Sequence, residues 1–491
     1  MNKAPSKNAK SQSGKKDMIL TSSMRCVMIM VLFSLGLAAM DLKPLAGPDA
    51  PLVKTRLEST YAQWVELIVT SYAKNGAHGV WDADMTKLLT HIARIRGGQP
   101  SDLSQSDAQA LAKSLSAPSS CSDPLAAWSA WYLASGKTPR WDAAWKALKE
   151  FDADAVKRHD AVRHPRMLEA MVAAELLASY GRSPKEPHRQ RALDLAQRLA
   201  GALAASIRRQ ECAIFPPVLI FEMRNIELKH QDFGEPVRIA IDEAVAEAKT
   251  EPWVGCAMRG VIRISNAWAW RSGGWAKDVT EEGWAGFGKN LKEADELLTE
   301  SWRANPNDPL AAAYGCTLAG AGNSATPFET WYLRSTKACF DHGIAFEAAM
   351  NFLQPRWGGS YDQMLALGCD SLDTGRFDTI VPWRVILAAK EAILDAEKMK
   401  QVDDLRQALN KPRVVKAISD CLDGCLKLYP EQRSYISCVR AAMHWHAGRE
   451  KQARAALADV LDADLDGSIE RDFHVDLKAI KHPPVHIAPE F

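Results

Sequence analysis

"DPLAAWSAWYLA", Asp123 to Ala134, and "DPLAAAYGCTLA", Asp308 to Ala319, align without a gap and agree at seven of twelve positions. Each reads as a helix that starts where its first residue says it should. The aspartate caps the N-terminus, the proline fits the first turn, and Leu125, Trp128 and Tyr132 form an inner stripe before Gly136. Thr138-Pro139 and Thr326-Pro327 follow shortly and open a second, tryptophan-containing helix. In the first copy that helix places Ala144, Leu148 and Phe151 at spacings of four and three. The unit is therefore a helix hairpin, and its recurrence predicts an array of them.

The same periodicity extends along most of the chain. "TRLESTYAQWVELIVTSYAK" puts Leu57, Tyr61, Trp64, Leu67, Ile68 and Tyr72 on one stripe, and comparable stripes begin near Asp82, Arg166, Glu186, Glu235, Glu281, Val381, Lys411 and Glu431. Gly, Pro and Asn-Pro punctuation separates them. Alternating runs and hairpin dipeptides are scarce, and "RGVIRIS" is the main Val/Ile cluster. The expected fold is all-α: degenerate helix-hairpin repeats forming an α-solenoid, with little or no β-structure.

The hairpin resembles a tetratricopeptide-type repeat, with large residues at the fourth, seventh and eleventh positions and a glycine near the turn. "EADELLTESWRANPNDP" carries Ala294, Leu298, Ser301 and Pro306 at that family's spacing, and "HAGREKQARAALADV" offers Gly448, Ala453, Leu457 and Val460. Strict thirty-four-residue periodicity is missing. "WRSGGWAKDVTEEGW" and "MNFLQPRWGGSYDQMLALG" further resemble segments of an uncharacterised bacterial family in which a Pro-Arg-Trp-Gly-Gly-Ser turn precedes a helix. That likeness implies a fold and no reaction.

At 491 residues the chain exceeds what one core usually serves. The organisation expected is a basic polar tail over 1–25, a signal peptide or short membrane anchor over 26–40, and a linker over 41–53. Helical repeats then fill 54–230 and 231–475, with a tail over 476–491. "CVMIMVLFSLGLAAM", Cys26 to Met40, is fifteen uncharged residues long. That is short for a bilayer span of about 20 residues and matches an export signal. The body is expected to be exported or tethered outside the cytoplasmic membrane, with a cytoplasmic protein as the alternative. The net charge of +1 includes five net positive charges in the first 25 residues, so the remainder carries −4. Such a body gives no electrostatic case for nucleic acid. Nine cysteines follow the apolar run without CxxC or zinc-like spacing, which suits burial as small residues more than a disulfide framework.

Reactive constellations are scarce. HExxH, a Walker loop, GxSxG and a dinucleotide fingerprint are all absent, and "AGAGNS", Ala319 to Ser324, reads as a repeat turn. "DADLDGSI", Asp462 to Ile469, matches the start of an EF-hand loop through Asp462, Asp464 and Asp466, but position twelve is Phe473, so calcium is a weak candidate. His444 and His446 are two apart on a helix and face different ways. No cofactor is expected.

The aromatic segment "NAWAWRSGGWAKDVTEEGWAGF", Asn266 to Phe287, is the strongest binding candidate. Val261 to Trp270 reads as one helix, Glu281 to Ala304 as its partner with Thr280 as cap, and "RSGGWAKDVT" as a long joint. Trp268 and Trp270 point to different faces. Arg271 is expected to stack on Trp275, and Arg356 on Trp357. The candidate binding residues are Trp268, Trp270, Arg271, Trp275, Trp284, Arg356 and Trp357. The expected function is non-enzymatic binding of a protein or peptide partner. The alternative is an α/α toroid hydrolysing glycans, with Asp278, Glu281, Glu282 and Asp362 as candidate carboxylates.

Overall fold

A computed structural model describes residues 42, 52, 61–62, 64–96, 99–117, 120–121, 123–133, 166–179, 188–208, 239–240, 242–247 and 252–483. The apolar run 26–40, the helix expected after Thr138 and the expected boundary near 230 lie outside them.

The structure is an all-α helical-repeat solenoid, with no strand among the described residues. Its helices are α1 Ser71–Asn75, α2 Asp82–Arg96, α3 Gln105–Leu115, α4 Pro124–Leu133, α5 Arg166–Ser179, α6 His188–Arg208, α7 Pro252–Arg271 and α8 Glu281–Ala304. They continue as α9 Pro309–Gly320, α10 Phe328–Ala338, α11 Gly343–Phe352, α12 Tyr361–Leu372, α13 Arg384–Met399, α14 Val402–Leu409 and α15 Pro412–Leu428. The last are α16 Arg433–His446, α17 Glu450–Ala456, α18 Gly467–Phe473 and α19 Leu477–Lys481. Each packs mainly on near neighbours in the chain; the tightest pairs are α7 with α8, α5 with α6, α9 with α10, and α12 with α13. One departure from regular helix is local. Val65–Thr70 is wound as a π-helix running into α1, while Trp64, Leu67, Ile68 and Tyr72 stay buried as the stripe requires.

The repeated segment behaves alike in both copies. Asp123 Oδ1 accepts the Leu125 N–H at 2.9 Å, and Asp308 Oδ1 accepts the Leu310 N–H at the same 2.9 Å. Satisfying an orphan donor in this way fixes the helix start. Helix α9 is apolar all round, and the core explains why. Leu310, Ala311, Tyr314 and Leu318 join the hydrophobic cluster formed with the preceding helices, whereas Ala312, Ala313, Cys316 and Ala319 join the cluster of the following ones. Among the described residues the core thus passes from one cluster to the other through this helix, buried on both sides, with Trp268, Trp302 and Ile344 packed against both.

The α7/α8 hairpin positions the candidate site. Ala294, Leu298 and Ser301 of α8 are fully buried, and Ser301 Oγ donates to the Trp253 carbonyl at 2.8 Å. Small residues on this face let the helices approach closely, as the repeat pattern anticipated. "AGAGNS" ends α9, with Gly322 in the left-handed region. Of the eight cysteines described as free thiols, five are buried. No helix among the described residues is long and apolar enough to cross a membrane.

Candidate functional site: an arginine boxed by tryptophans

Helix α7 ends at Arg271, where Ser272 adopts φ 62°, a left-handed conformation that breaks the helix. Neither glycine of the following pair has a positive φ, so the left-handed residue of the joint is Ser272 itself. Arg271 Nη1 donates to the Ser272 carbonyl at 3.3 Å and the Gly274 carbonyl at 3.2 Å, which ties the joint to its own last helical residue. A short 3-10 turn over Ala276–Asp278 follows. Thr280 Oγ1 then accepts the Gly283 N–H at 3.0 Å and starts α8, with Glu281 and Glu282 in the first turn as dipole complements.

Around that guanidinium stand three indoles. Arg271 Cζ lies 5.5 Å from the Trp268 ring, 5.5 Å from Trp284 and 5.6 Å from Trp357. The rings brace one another edge to face: Trp268 on Trp357 at 6.2 Å, Trp268 on Phe287 at 5.2 Å and Trp284 on Phe287 at 5.7 Å. Phe352 closes the far side of Trp357 at 5.7 Å. Trp357 comes from the second Gly-Gly turn, where Pro355–Trp357 forms a 3-10 turn and Gly358 takes φ 90°. Ser360 Oγ accepts the Gln363 N–H and opens α12. Two glycine joints nearly ninety residues apart therefore meet across one arginine. Arg271 is only 7% exposed, and burial lowers its pKa. Among the described residues no carboxylate pairs with it.

Outside the box stand Trp270 and Trp275, 56% and 59% exposed. The Trp270 indole lies against α8 at Gly286, where a Cβ would sit 2.4 Å from Trp270 Cδ2. Trp268 and Trp270 do face differently, one into the box and one outward. The structure differs from the sequence expectation for both arginines. Arg271 stands over Trp268, Trp284 and Trp357 rather than on Trp275, held there by its hydrogen bonds to the Ser272 and Gly274 carbonyls. Arg356 leaves Trp357 for Asp395, with Nε 3.6 Å from Oδ1, since that carboxylate is buried and an ion pair outweighs a ring face. Asp395 Oδ2 also lies 3.2 Å from the Tyr361 hydroxyl.

The arginine box recurs, a feature that the sequence reading missed. Arg334 stands 3.6 Å from the centroid of Trp302 and 4.8 Å from Trp331; Arg96 covers Trp64, Trp128 and Tyr132 at 4.8, 5.7 and 4.6 Å. Arg96 and Arg271 are each the last residue of their helix. The local signal is an arginine in the final turns of a helix, and the helix Asp82–Arg96 carries no Phe, Tyr or Trp of its own. Which rings it reaches is set by the neighbouring repeats.

The other candidate residues are engaged elsewhere. Asp462 pairs with Lys481 at 2.7 Å and His482 at 3.1 Å, and the lysine above all pulls its pKa down to about 2. Asp466 caps α18 through the Ser468 N–H, Glu470 accepts the Leu477 N–H, Asp472 pairs with Lys390, and Phe473 is buried. Asp464 lies in the 3-10 turn Asp462–Asp464. Among the described residues no group of three or more His, Cys, Asp or Glu is arranged to hold a metal ion. His446 Nε2 lies 2.7 Å from the Phe473 carbonyl, while His444 is pushed down to about 4 by burial. Asp278, Glu281 and Glu282 are exposed, and Asp362 pairs with Lys411 at 2.5 Å. No protein-family model matches the chain, and no curated protein matches it.

Proposed function

We propose that this protein is a non-enzymatic helical-repeat binding protein whose α7/α8 joint docks a protein or peptide partner. The observation that carries the reading is the pairing of two tryptophans more than half exposed, Trp270 and Trp275, with an arginine box at the same joint. Large exposed aromatics cost hydration free energy unless a partner covers them, and they supply much contact area at low entropy cost. The box adds preorganisation, because the joint that bears Trp275 is anchored by hydrogen bonds to Arg271. On the sequence of residues 26–40, the body works outside the cytoplasmic membrane, exported or held by that segment. The resemblance to tetratricopeptide-type repeats, whose arrays bind other proteins, points the same way.

Affinity capture from the cells that make the protein tests the reading. Proteins held by the full chain should be lost from the double variant Trp270→Ala/Trp275→Ala and retained by Trp445→Ala, whose indole is also exposed but on α16. An identical captured set for all three would refute it.

A further inference from the structure

A buried charge normally has its opposite within reach. Arg271 is 93% buried by its 7% exposure, yet only Nη1 is hydrogen-bonded, and only to two carbonyls. Among the described residues Nε and Nη2 donate to nothing, and neither is sealed from solvent. A second donor nearby has the same want: the buried Trp357 indole N–H finds no acceptor among the described residues. The ring faces soften the cost of the cation but offer no lone pair. Two donors short of acceptors, at the joint that carries two exposed indoles, describe a site built for an anion that the described residues do not supply.

The surroundings narrow its chemistry. Asp278, Glu281 and Glu282 are exposed in and just after the joint, so a run of acidic residues would be repelled at the rim. A single carboxylate with apolar neighbours meets far less of that repulsion. The guanidinium belongs to a side chain only 7% exposed, so the anion must arrive on a side-chain stem while its backbone stays outside. We propose that the partner inserts one glutamate side chain into the Trp268/Trp284/Trp357 box, with a flanking aromatic residue laid on Trp270 and Trp275. A carboxylate accepting from Nε and Nη2 makes the two-point pair that arginine forms best. This rests on the binding function proposed above, at the same joint, and specifies what that joint recognises.

The Arg334 box supplies an internal control. It lies against Trp302 near the far end of the 24-residue α8, about 27 Å along the axis from Trp284.

The test uses the full chain labelled with 5-fluorotryptophan, with resonances assigned by single Trp→Phe variants and titrations followed by fluorine NMR. Three dipeptides are compared: acetyl-Glu-Phe-amide, acetyl-Gln-Phe-amide and acetyl-Gln-Phe with a free C-terminal carboxylate. The expected result is saturable shifts at Trp270, Trp275 and Trp284 with the glutamate peptide, and binding about tenfold or more weaker with the glutamine amide. Arg271→Gln should erase that difference, Arg271→Lys should keep part of it, and Arg334→Lys should leave it intact. Fluorine spectra of each variant before titration report whether the box still folds. Equal affinity for the glutamate and glutamine amides would overturn the proposal, as would a response confined to the free-acid peptide, or discrimination that survives Arg271→Gln. Lost discrimination together with intact, tryptophan-dependent partner capture would sink this inference and leave the docking face standing.

Discussion

The α7/α8 contact permits a quantitative test of how these hairpins are held together. A Cβ built at Gly260 would lie 2.7 Å from Leu298 Cδ2 and 2.8 Å from its Cγ, while the next atom, Leu297 Cβ, is an ordinary 3.6 Å away. Leu298 is fully buried. Leu298→Ala empties that space and should cost about 3 kcal/mol, within the usual range for buried leucine. Gly260→Ala forces a methyl group against the leucine tip; overpacking of about 2–3 kcal/mol is offset by roughly 1 kcal/mol of helix propensity, leaving a net loss near 1–2 kcal/mol. In the double variant the new methyl occupies the volume that Cγ and Cδ2 vacate. The combined loss should therefore fall short of the sum by about 2 kcal/mol, a coupling well above that of independent sites. Urea unfolding followed by far-ultraviolet circular dichroism measures all four corners of the cycle. Additive losses within about 0.5 kcal/mol would refute the close approach of these two helices.

Three other outcomes follow from single contacts. Asp308→Ala removes the acceptor of the Leu310 N–H and should destabilise by about 1–2 kcal/mol in urea unfolding, with Asp308→Asn recovering most of it. Gly359→Ala sets a methyl group 2.1 Å from the Leu353 carbonyl oxygen; the turn has to open, and the Trp357 fluorine resonance should move more than that of Trp331. Burial holds His444 near 4 in the folded state, below its unfolded value of about 6.5. The unfolded chain therefore binds the proton first. Stability from this group is complete above about pH 6.5 and declines as pH falls toward 4, by on the order of 1–2 kcal/mol after solvent screening. Unfolding midpoints of the parent and His444→Gln across that window should converge at the acid end.

Much of the fold is legible locally. Thr280, Asp308 and Asp123 announce their helices because a cap is a bond between residues two or three apart. Ala294, Leu298 and Ser301 announce a buried face because helical period alone places them together. The opposed directions of Trp268 and Trp270 follow from the same period. The arginines were harder. Nothing near Arg271 states that Trp357 lies beside it, since that contact depends on how the α11/α12 turn folds back onto α7, and nothing near Arg356 states that Asp395 is within reach. The Asp462 loop shows the same limit: its spacing makes calcium a weak candidate, and nothing near it states that Lys481 and His482, about twenty residues on, lie against Asp462.

Hydroxyl-radical footprinting, read residue by residue by mass spectrometry, tests the account at its centre. Trp270 and Trp275 should oxidise fastest among the indoles of the joint, Trp268, Trp284 and Trp357 slowly, and the fully buried Trp128 and Trp331 slowest. Arg271→Gln should raise the rates of the three box indoles toward those of the outer pair. Box indoles that oxidise as fast as Trp275 in the parent protein would contradict the account, because the arginine would then have no enclosure and the exposed pair no rigid base.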